Sequence, residues 1–253
     1  MIIVIPCYDE EQRFDSASFI DFLNKTANVN FVFVNDGSTD NTHVILESLR
    51  QKDPGRVQLL NLDANRGKAE AVRQGILHAL ESQPTYVGFW DADLATPLKV
   101  IDDFYQLLDK YPHIEMAFGA RVRLLGRTII RSPIRHYLGR ASATLISLVL
   151  DLPIYDTQCG AKIFRVTHDT RHLFHQPFMT RWTFDVEIIA RLIQSRNGTN
   201  LPKPGDVIYE YPLDVWNDVH GSKIKPKDYL RSLIDLWRIH RTYLSSPKPR
   251  LRS

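Results

Sequence analysis

Cysteine, long apolar runs and strong net charge are all scarce in this chain of 253 residues. Its two cysteines, Cys7 and Cys159, lie far apart and outside any CxxC spacing, which argues against a disulfide framework or a zinc site. A formal net charge of +3 is small for this length and gives no reason to expect nucleic acid as a partner. No apolar run is long enough to predict a membrane span or a signal peptide. We therefore expect a cytoplasmic protein whose contact with a membrane is peripheral.

The chain does have a regular alternation of short, β-rich apolar runs with stretches patterned as helices. Strands are predicted at residues 2–5, 31–34, 57–62, 86–90 and 115–119. Helices are predicted at residues 17–27, 41–51, 67–81 and 98–110, with Asn65 as the N-cap of the third. This order predicts an α/β domain with a mostly parallel central sheet flanked by helices.

A polar cluster follows each of the first four predicted strands. The clusters are PCYDEE at residues 6–11, NDGS at 35–38, NRGK at 65–68 and DAD at 91–93. Taken singly, each has an ordinary interpretation as a turn or an acidic helix start. Ligands of parallel sheets bind beyond the carboxyl ends of the strands, so the four clusters together predict one shared site.

The pair Asp91 and Asp93 carries the most specific chemistry of these clusters. Two carboxylates at the end of an apolar strand can share a hard divalent cation, Mn²⁺ or Mg²⁺, that also binds diphosphate oxygens. Lys68, at the start of the third helix, is placed to contact the same phosphates. Asp36 is placed to accept hydrogen bonds from a base or ribose, and Tyr8 offers a ring to stack beside the base.

In these motifs the chain resembles the family 2 glycosyltransferases, which have the GT-A (nucleotide-diphospho-sugar transferase) fold. DTQCGAK at residues 156–162, RWTFDVE at 181–187 and the stretch from Trp216 to Lys223 are similar to the dolichyl-phosphate β-glucosyltransferase branch. Members of that branch move glucose from UDP-glucose to a polyprenyl phosphate, with inversion at the anomeric carbon. Ala95 stands where mannose synthases of the family carry a glutamine metal ligand, which argues against the mannosyl branch.

The resemblance also implies roles for individual residues. Asp91 and Asp93 would hold the metal, and Arg121 and Lys223 would serve phosphate groups. The nucleotide-sugar would be bound by Pro6, Tyr8, Glu10, Val34, Asp36, Lys68, Asp91 and Ala92. The GT-A domain is expected to span residues 1–225, with 226–253 forming a C-terminal helix and tail of the same domain.

Two kinds of acceptor remain open. Arg121, directly after the fifth predicted strand, and Arg140, on the following helix, suit an acceptor phosphate together with Lys223, because guanidinium groups make bidentate contacts to phosphate. A sugar hydroxyl of a glycan or lipid-linked glycan would instead need a general base, for which Asp185 is the candidate. We therefore name Asp185, Arg121 and Lys223 as candidate catalytic residues.

The C-terminal stretch is basic and amphipathic. Its pattern fits a helix that packs on the core and equally one that lies on an anionic membrane surface. The expected partners are thus a UDP-sugar donor, a lipid-phosphate or glycan acceptor, and an anionic membrane. A non-catalytic nucleotide- or lipid-binding module is the remaining alternative. Such a module would bind nucleotide without turning over a donor.

Overall fold

Residues 1–130, 133–217 and 226–245 are described by a computed structural model of the chain. The strands are β1 Ile2–Cys7, β2 Asn30–Asn35, β3 Val57–Asn61, β4 Tyr86–Trp90, β5 Met116–Ala120, β6 Thr128–Ile130, β7 Ala161–Arg165, β8 Ile208–Pro212 and β9 Val215–Asn217. The helices are α1 Ser16–Lys25, α2 Thr42–Lys52, α3 Lys68–Glu81, α4 Val100–Lys110, α5 Pro133–Leu150, α6 His168–His175, α7 Phe184–Arg196, α8 Pro204–Val207 and α9 Pro226–Ile239, followed by a π-helical turn His240–Leu244. The five predicted strands and four predicted helices are confirmed.

The main sheet has seven strands in the order β3-β2-β1-β4-β7-β5-β8. β1 pairs in parallel with β2 and β4, β2 with β3, and β5 with β8. β7 alone in this sheet runs antiparallel to its neighbours, β4 and β5. The predicted mostly parallel sheet flanked by helices is therefore confirmed. β6 and β9 form a separate parallel pair.

The central strands are buried on both faces, as their continuous apolar runs require. One face packs against residues of α3 and α7, and the other against residues of α1 and α4. Gly75 of α3 lies so close to β1 that a Cβ there would overlap the side chain of Val4. The missing side chain lets α3 lie directly on the sheet, with its N-terminus at the edge where the strands end.

Over residues 231–239, the C-terminal helix packs one face on the core. Leu236 and Ile239 are buried, whereas Leu233, Ile234 and Trp237 are 52%, 47% and 58% exposed. A second apolar face of α9 is therefore left on the surface. Within the part of the chain that the structure covers, no helix combines the length and apolar character needed to cross a membrane.

A buried acidic group anchors the turn that follows α9. The Tyr243 hydroxyl donates a hydrogen bond to Glu187 of α7 at 2.9 Å, and Arg191 pairs with the same carboxylate at 2.8 Å. Glu187 is completely buried. Because a buried carboxylate without partners is costly, these contacts hold the C-terminal turn against α7.

An isoleucine-to-alanine substitution should have a large effect on stability on one face of α9 and a small effect on the other. Ile239→Ala leaves a cavity in the core and should lower the free energy of unfolding by about 2–4 kcal/mol. Ile234→Ala removes exposed atoms and should change it by less than about 0.5 kcal/mol. Urea unfolding of both variants measures the difference, and equal effects would contradict the packing of this helix.

Candidate active site

The loops after β1 and β2 are joined by hydrogen bonds. Asp9 has φ 47°, and its carboxylate accepts a hydrogen bond from the backbone N–H of Thr39 at 2.8 Å. The Asp9 N–H donates to the Ser38 hydroxyl at 3.1 Å, and the Glu10 N–H donates to the Thr42 hydroxyl at 2.7 Å. The first two predicted clusters therefore form one wall of the site.

The residues predicted to hold the nucleoside line this wall or lie beneath it. Pro6 and Val34 are register partners across β1 and β2, and Val34 is wholly buried. Tyr8 is partly exposed, and a hydrogen bond with Asp9 is the main cause that raises the pKa of its phenol. Val34 is therefore part of the core beneath this wall, whereas Pro6 and Tyr8 are partly exposed.

Asp36 connects the end of β2 to the loop before α3. Its two carboxylate oxygens accept hydrogen bonds from the backbone N–H groups of Arg66 and Gly67, both at 2.8 Å. Asp36 is only 2% exposed, and burial raises its pKa although these two hydrogen bonds oppose the change. The carboxylate thus positions the third cluster.

The predicted N-cap of α3 is wrong. The helix begins at Lys68 with Gly67 as its N-cap, at φ 93°, and the Asp36 carboxylate takes the preceding N–H groups. The amide oxygen of Asn65 instead accepts a hydrogen bond from Arg181 at 2.8 Å. The turn needs glycine for its backbone angle, whereas the nearest group to a Cβ at residue 67 would be the flexible end of the Arg181 side chain.

Lys68 brings the third cluster to the fourth. Its ammonium lies 2.5 Å from the Asp91 carboxylate. The Asp91 N–H donates to the Gly160 carbonyl at 2.9 Å, and a Cβ on Gly160 would overlap the Asp91 carboxylate. Burial and then the charge of Asp91 raise the pKa of Asp93. Four strand ends and the turn before β7 therefore meet at the paired aspartates.

This pair of carboxylates suits a divalent cation. Two facing aspartates, one with a raised pKa, repel each other, and a cation between them would relieve that repulsion. Among the described residues no group of three or more His, Cys, Asp and Glu side chains could hold a metal. A cation bound by Asp91 and Asp93 would therefore complete its shell with ligand oxygens and water. Ala92, between them, is buried and contributes no side-chain ligand.

Asp185 lies at the start of α7 in the interior, not on an open surface. It is 4% exposed, and its Oδ1 lies 2.6 Å from the ammonium of Lys162. Burial raises the pKa of Asp185, while Lys162 and then Lys68 act in the opposite direction. For Lys68, burial lowers the pKa, but Asp91 and Asp185 together outweigh it and the pKa is raised.

Arg121 is held in a bidentate ion pair. Its Nε and Nη2 donate to the Asp156 carboxylate at 2.6 and 2.7 Å. Glu210 fixes that partner by accepting the backbone N–H groups of Tyr155 and Asp156 at 2.9 and 2.8 Å. Burial lowers the pKa of Arg121, but Asp156 outweighs it, so the pKa is raised. The Asp156 turn leads within four residues to Gly160, whose carbonyl accepts the Asp91 N–H, so the pair lies next to the aspartate site.

A pocket opens next to this ion pair. Arg121, Arg140, Tyr155 and Thr157 line it, and the Arg140 guanidinium stacks 3.7 Å from the centre of the Tyr155 ring. Arg140 Nη1 and the Thr157 hydroxyl are buried, and neither has a hydrogen-bond partner among the described residues. Unpaired donors buried in a pocket are costly unless a ligand or water accepts from them.

Lys223 lies outside the described residues, but strand β9, which precedes it in the chain, is described. The Asn217 N–H of β9 donates to the Ala95 carbonyl at 3.2 Å, just beyond Asp93. The Arg121 guanidinium lies 5.3 Å from the centre of the Trp216 ring. The chain therefore enters residues 218–225 from the edge of the site.

Three charged residues near the site had no predicted role: Arg13, Lys162 and Arg181. Arg13 pairs with Glu10 at 2.5 Å. The pKa of Arg13 is raised, mainly by Glu10 and to a smaller extent by the charges of Asp93 and Asp91. Lys162 interrupts an otherwise apolar strand, AKIF, and this interruption was the one signal available in the sequence. Arg181 carried no such signal, because its position next to Gly67 depends on the path of the chain before α7.

The loops after β1 and β2, the start of α3 and the paired aspartates after β4 lie at one edge of a mostly parallel sheet. This arrangement is that of a nucleotide-sugar transferase of the GT-A type. Comparison with known proteins agrees. The profile of glycosyl transferase family 2 matches residues 2–172, and the chain belongs to that family. The predicted glycosyltransferase class and GT-A fold are therefore confirmed.

Curated relatives extend the similarity beyond the profile. A dolichyl-phosphate β-glucosyltransferase of Trichomonas vaginalis is 33% identical, over 93% of this chain and 69% of its own. That of Saccharomyces cerevisiae is 31% identical, over 96% of this chain and 74% of its own. Among solved structures, glucosyl-3-phosphoglycerate synthase of Mycobacterium tuberculosis with Mn²⁺, UDP-glucose and phosphoglyceric acid superposes with a TM-score of 0.66. It is 16% identical, and the match covers 95% of this chain and 79% of the synthase.

Proposed function

We propose that this chain transfers glucose from UDP-glucose to the phosphate of a polyprenyl or dolichyl lipid, with inversion at the anomeric carbon. The observation that carries the proposal is the pocket beside the paired aspartates, in which Arg140 Nη1 and the Thr157 hydroxyl are buried without a partner among the described residues. A phosphate supplies the acceptor oxygens that both donors need. The names of relatives 30–33% identical over most of the chain agree with this acceptor.

The donor would bind across the loops after β1 and β2. Tyr8 and Glu10 would contact the nucleoside, with Asp36 holding the loop beneath it and Lys68 facing the diphosphate. Asp91 and Asp93 would hold Mn²⁺ or Mg²⁺. The cation supplies positive charge to the diphosphate as it leaves.

The acceptor phosphate would be held by Arg140 and Arg121, together with Lys223. A phosphate oxygen of the acceptor attacks the anomeric carbon, the bond from that carbon to the UDP oxygen breaks, and UDP leaves with the bonding electrons. A phosphate monoester has a second pKa near 6, so it is mostly dianionic at neutral pH and has no proton to lose. The work of the protein is then to orient the two phosphates and neutralise their charge.

Transfer to a sugar hydroxyl is the less favoured alternative. A hydroxyl needs a base at the anomeric carbon, whereas Asp185 is 4% exposed and lies 2.6 Å from Lys162. Although burial raises its pKa, this carboxylate lies against the Lys162 ammonium in the interior, where an acceptor hydroxyl has no open approach to it. We therefore assign Asp185 to positioning the cations around the diphosphate.

Donor binding should depend on the contact between Gly160 and Asp91. UDP with Mn²⁺ should raise the melting temperature of the wild type. When UDP is at 100 times its Kd, the free energy of unfolding should increase by about 2.7 kcal/mol. Gly160→Ala should abolish this rise, because the new Cβ displaces the Asp91 carboxylate. Thermal unfolding with and without a chelator measures it. In the control Gly55→Ala, the nearest atom to the Cβ is 3.8 Å away and the rise should persist. A full UDP response in Gly160→Ala would refute this site.

The acceptor can be tested with two lipids of equal chain length. Incubated with UDP-glucose, the protein should glucosylate polyprenyl phosphate and leave polyprenol unchanged. Arg140→Ala should lower kcat/KM for the lipid phosphate roughly 10- to 100-fold, because it loses charged hydrogen bonds worth about 1.5–3 kcal/mol. Arg123→Ala, at an exposed arginine two residues after Arg121, is the matched control. Transfer to polyprenol but not to its phosphate would establish the hydroxyl alternative.

We also propose that the exposed face of α9 contacts an anionic membrane on its cytoplasmic side. Leu233, Ile234 and Trp237 form this face, and Arg238 and Arg241 lie beside it on the surface. Apolar side chains flanked by arginines suit the boundary between lipid headgroups and acyl chains. A lipid-linked acceptor would reach the site from the same surface.

Membrane contact of this kind predicts a specific pattern of vesicle binding. Co-sedimentation should require anionic lipid and weaken with salt, because surface electrostatics is screened. Trp237→Ala should reduce binding, whereas Val44→Ala, at a 62% exposed residue of α2, should not. Equal binding to neutral vesicles, or an unaffected Trp237→Ala variant, would contradict this contact.

A further inference from the structure

Lys162 lies at the centre of the main sheet without any exposed surface. It belongs to β7, and its register partners are Phe89 of β4 and Phe118 of β5. Its ammonium lies 5.4 Å from the centres of both phenyl rings. Its strand neighbours Ala161 and Ile163 are apolar, so an uncompensated charge here would be very costly.

Two contacts compensate this charge. The ammonium donates a hydrogen bond to the Cys159 carbonyl at 2.6 Å and lies 2.6 Å from the Asp185 carboxylate. Apolar side chains of similar volume would generally serve stability as well as such a buried pair, or better. Stability therefore does not account for a lysine at this position.

Both contacts connect Lys162, through other groups, to Asp91. The Cys159–Gly160 turn presents the carbonyl that accepts the Asp91 N–H at 2.9 Å. Lys162 also pairs with Asp185, and Asp91 and then Asp185 raise the pKa of Lys68, which itself lies 2.5 Å from Asp91. The hydrogen bonds through the Cys159–Gly160 turn are the direct geometric connection from Lys162 to Asp91.

We propose that Lys162 is a positioning residue for the donor diphosphate. It fixes Asp185 and the Cys159–Gly160 turn, and through them it keeps Lys68 and Asp91 in the places where they meet the diphosphate and its cation. This inference rests on the proposed donor, but not on the acceptor or on the membrane.

Three variants separate positioning from stability. Lys162→Met removes the charge and leaves Asp185 unpaired, and the double variant Lys162→Met/Asp185→Asn removes both charges. Arg196→Met is the matched control: Arg196 is a buried cation of α7, paired with Glu115 at 2.5 Å. For each protein the melting temperature is recorded, and the Kd of UDP with Mn²⁺ is measured by calorimetry below all melting temperatures.

Lys162→Met should lower the melting temperature and weaken UDP binding roughly 10- to 100-fold, the range found for residues that orient metal ligands. The double variant should regain melting temperature but bind UDP as weakly as Lys162→Met. Arg196→Met should lose melting temperature and bind UDP like the wild type. Wild-type affinity for UDP in Lys162→Met, or in the double variant, would overturn the proposal, as would weakened binding in Arg196→Met.

Failure of the donor proposal gives a different result. If the wild type binds GDP with Mn²⁺ in preference to UDP, the uridine donor is wrong, and the same comparison made with GDP decides the role of Lys162 through the shared diphosphate. A wild type that binds neither nucleotide would overturn both proposals.

Discussion

The hydrogen bonds from Arg66 and Gly67 to the Asp36 carboxylate determine where α3 begins, and the rest of the site depends on that point. They join the end of β2 to the turn before Lys68, so Lys68 becomes the first residue of the helix. From there its ammonium reaches the Asp91 carboxylate at the end of β4. The same contacts satisfy N–H groups that a helix start leaves unpaired. One buried carboxylate therefore connects the end of β2 to the start of α3 and, through Lys68, to the paired aspartates.

Charges in this interior are compensated by an opposite charge or by backbone N–H groups. Lys162 faces Asp185, and Arg121 faces Asp156, whose backbone is held by Glu210. Removing one member of such a pair leaves an uncompensated charge in a poorly solvated place, which is far more costly than losing a surface ion pair. The arrangement is therefore rigid, and rigidity suits a reaction in which two phosphate groups must be aligned.

The C-terminal helix has one face packed on the core and one apolar face on the surface, and its sequence pattern could not separate the two. Leu236 and Ile239 bury one face against the core, and the Tyr243–Glu187 hydrogen bond anchors the following turn to α7. Thr183, the residue before α7, also donates a hydrogen bond to Asp235 of α9 at 3.2 Å. The helix with the exposed apolar face thus contacts the start of the helix that carries Asp185.

The sequence by itself determined the α/β class, the places of the first five strands and the clustering of polar residues at one edge. These follow from local periodicity and from the rule that parallel strands end together. It misplaced the N-cap of α3 at Asn65, because the group that satisfies that turn comes from Asp36, which is distant in sequence. The pairing of Lys162 with Asp185 and of Arg121 with Asp156 was also decided only by the tertiary structure. Which charge compensates which depends on the reversed strand β7 and on the path of the chain before α7, and neither leaves a local pattern in the sequence.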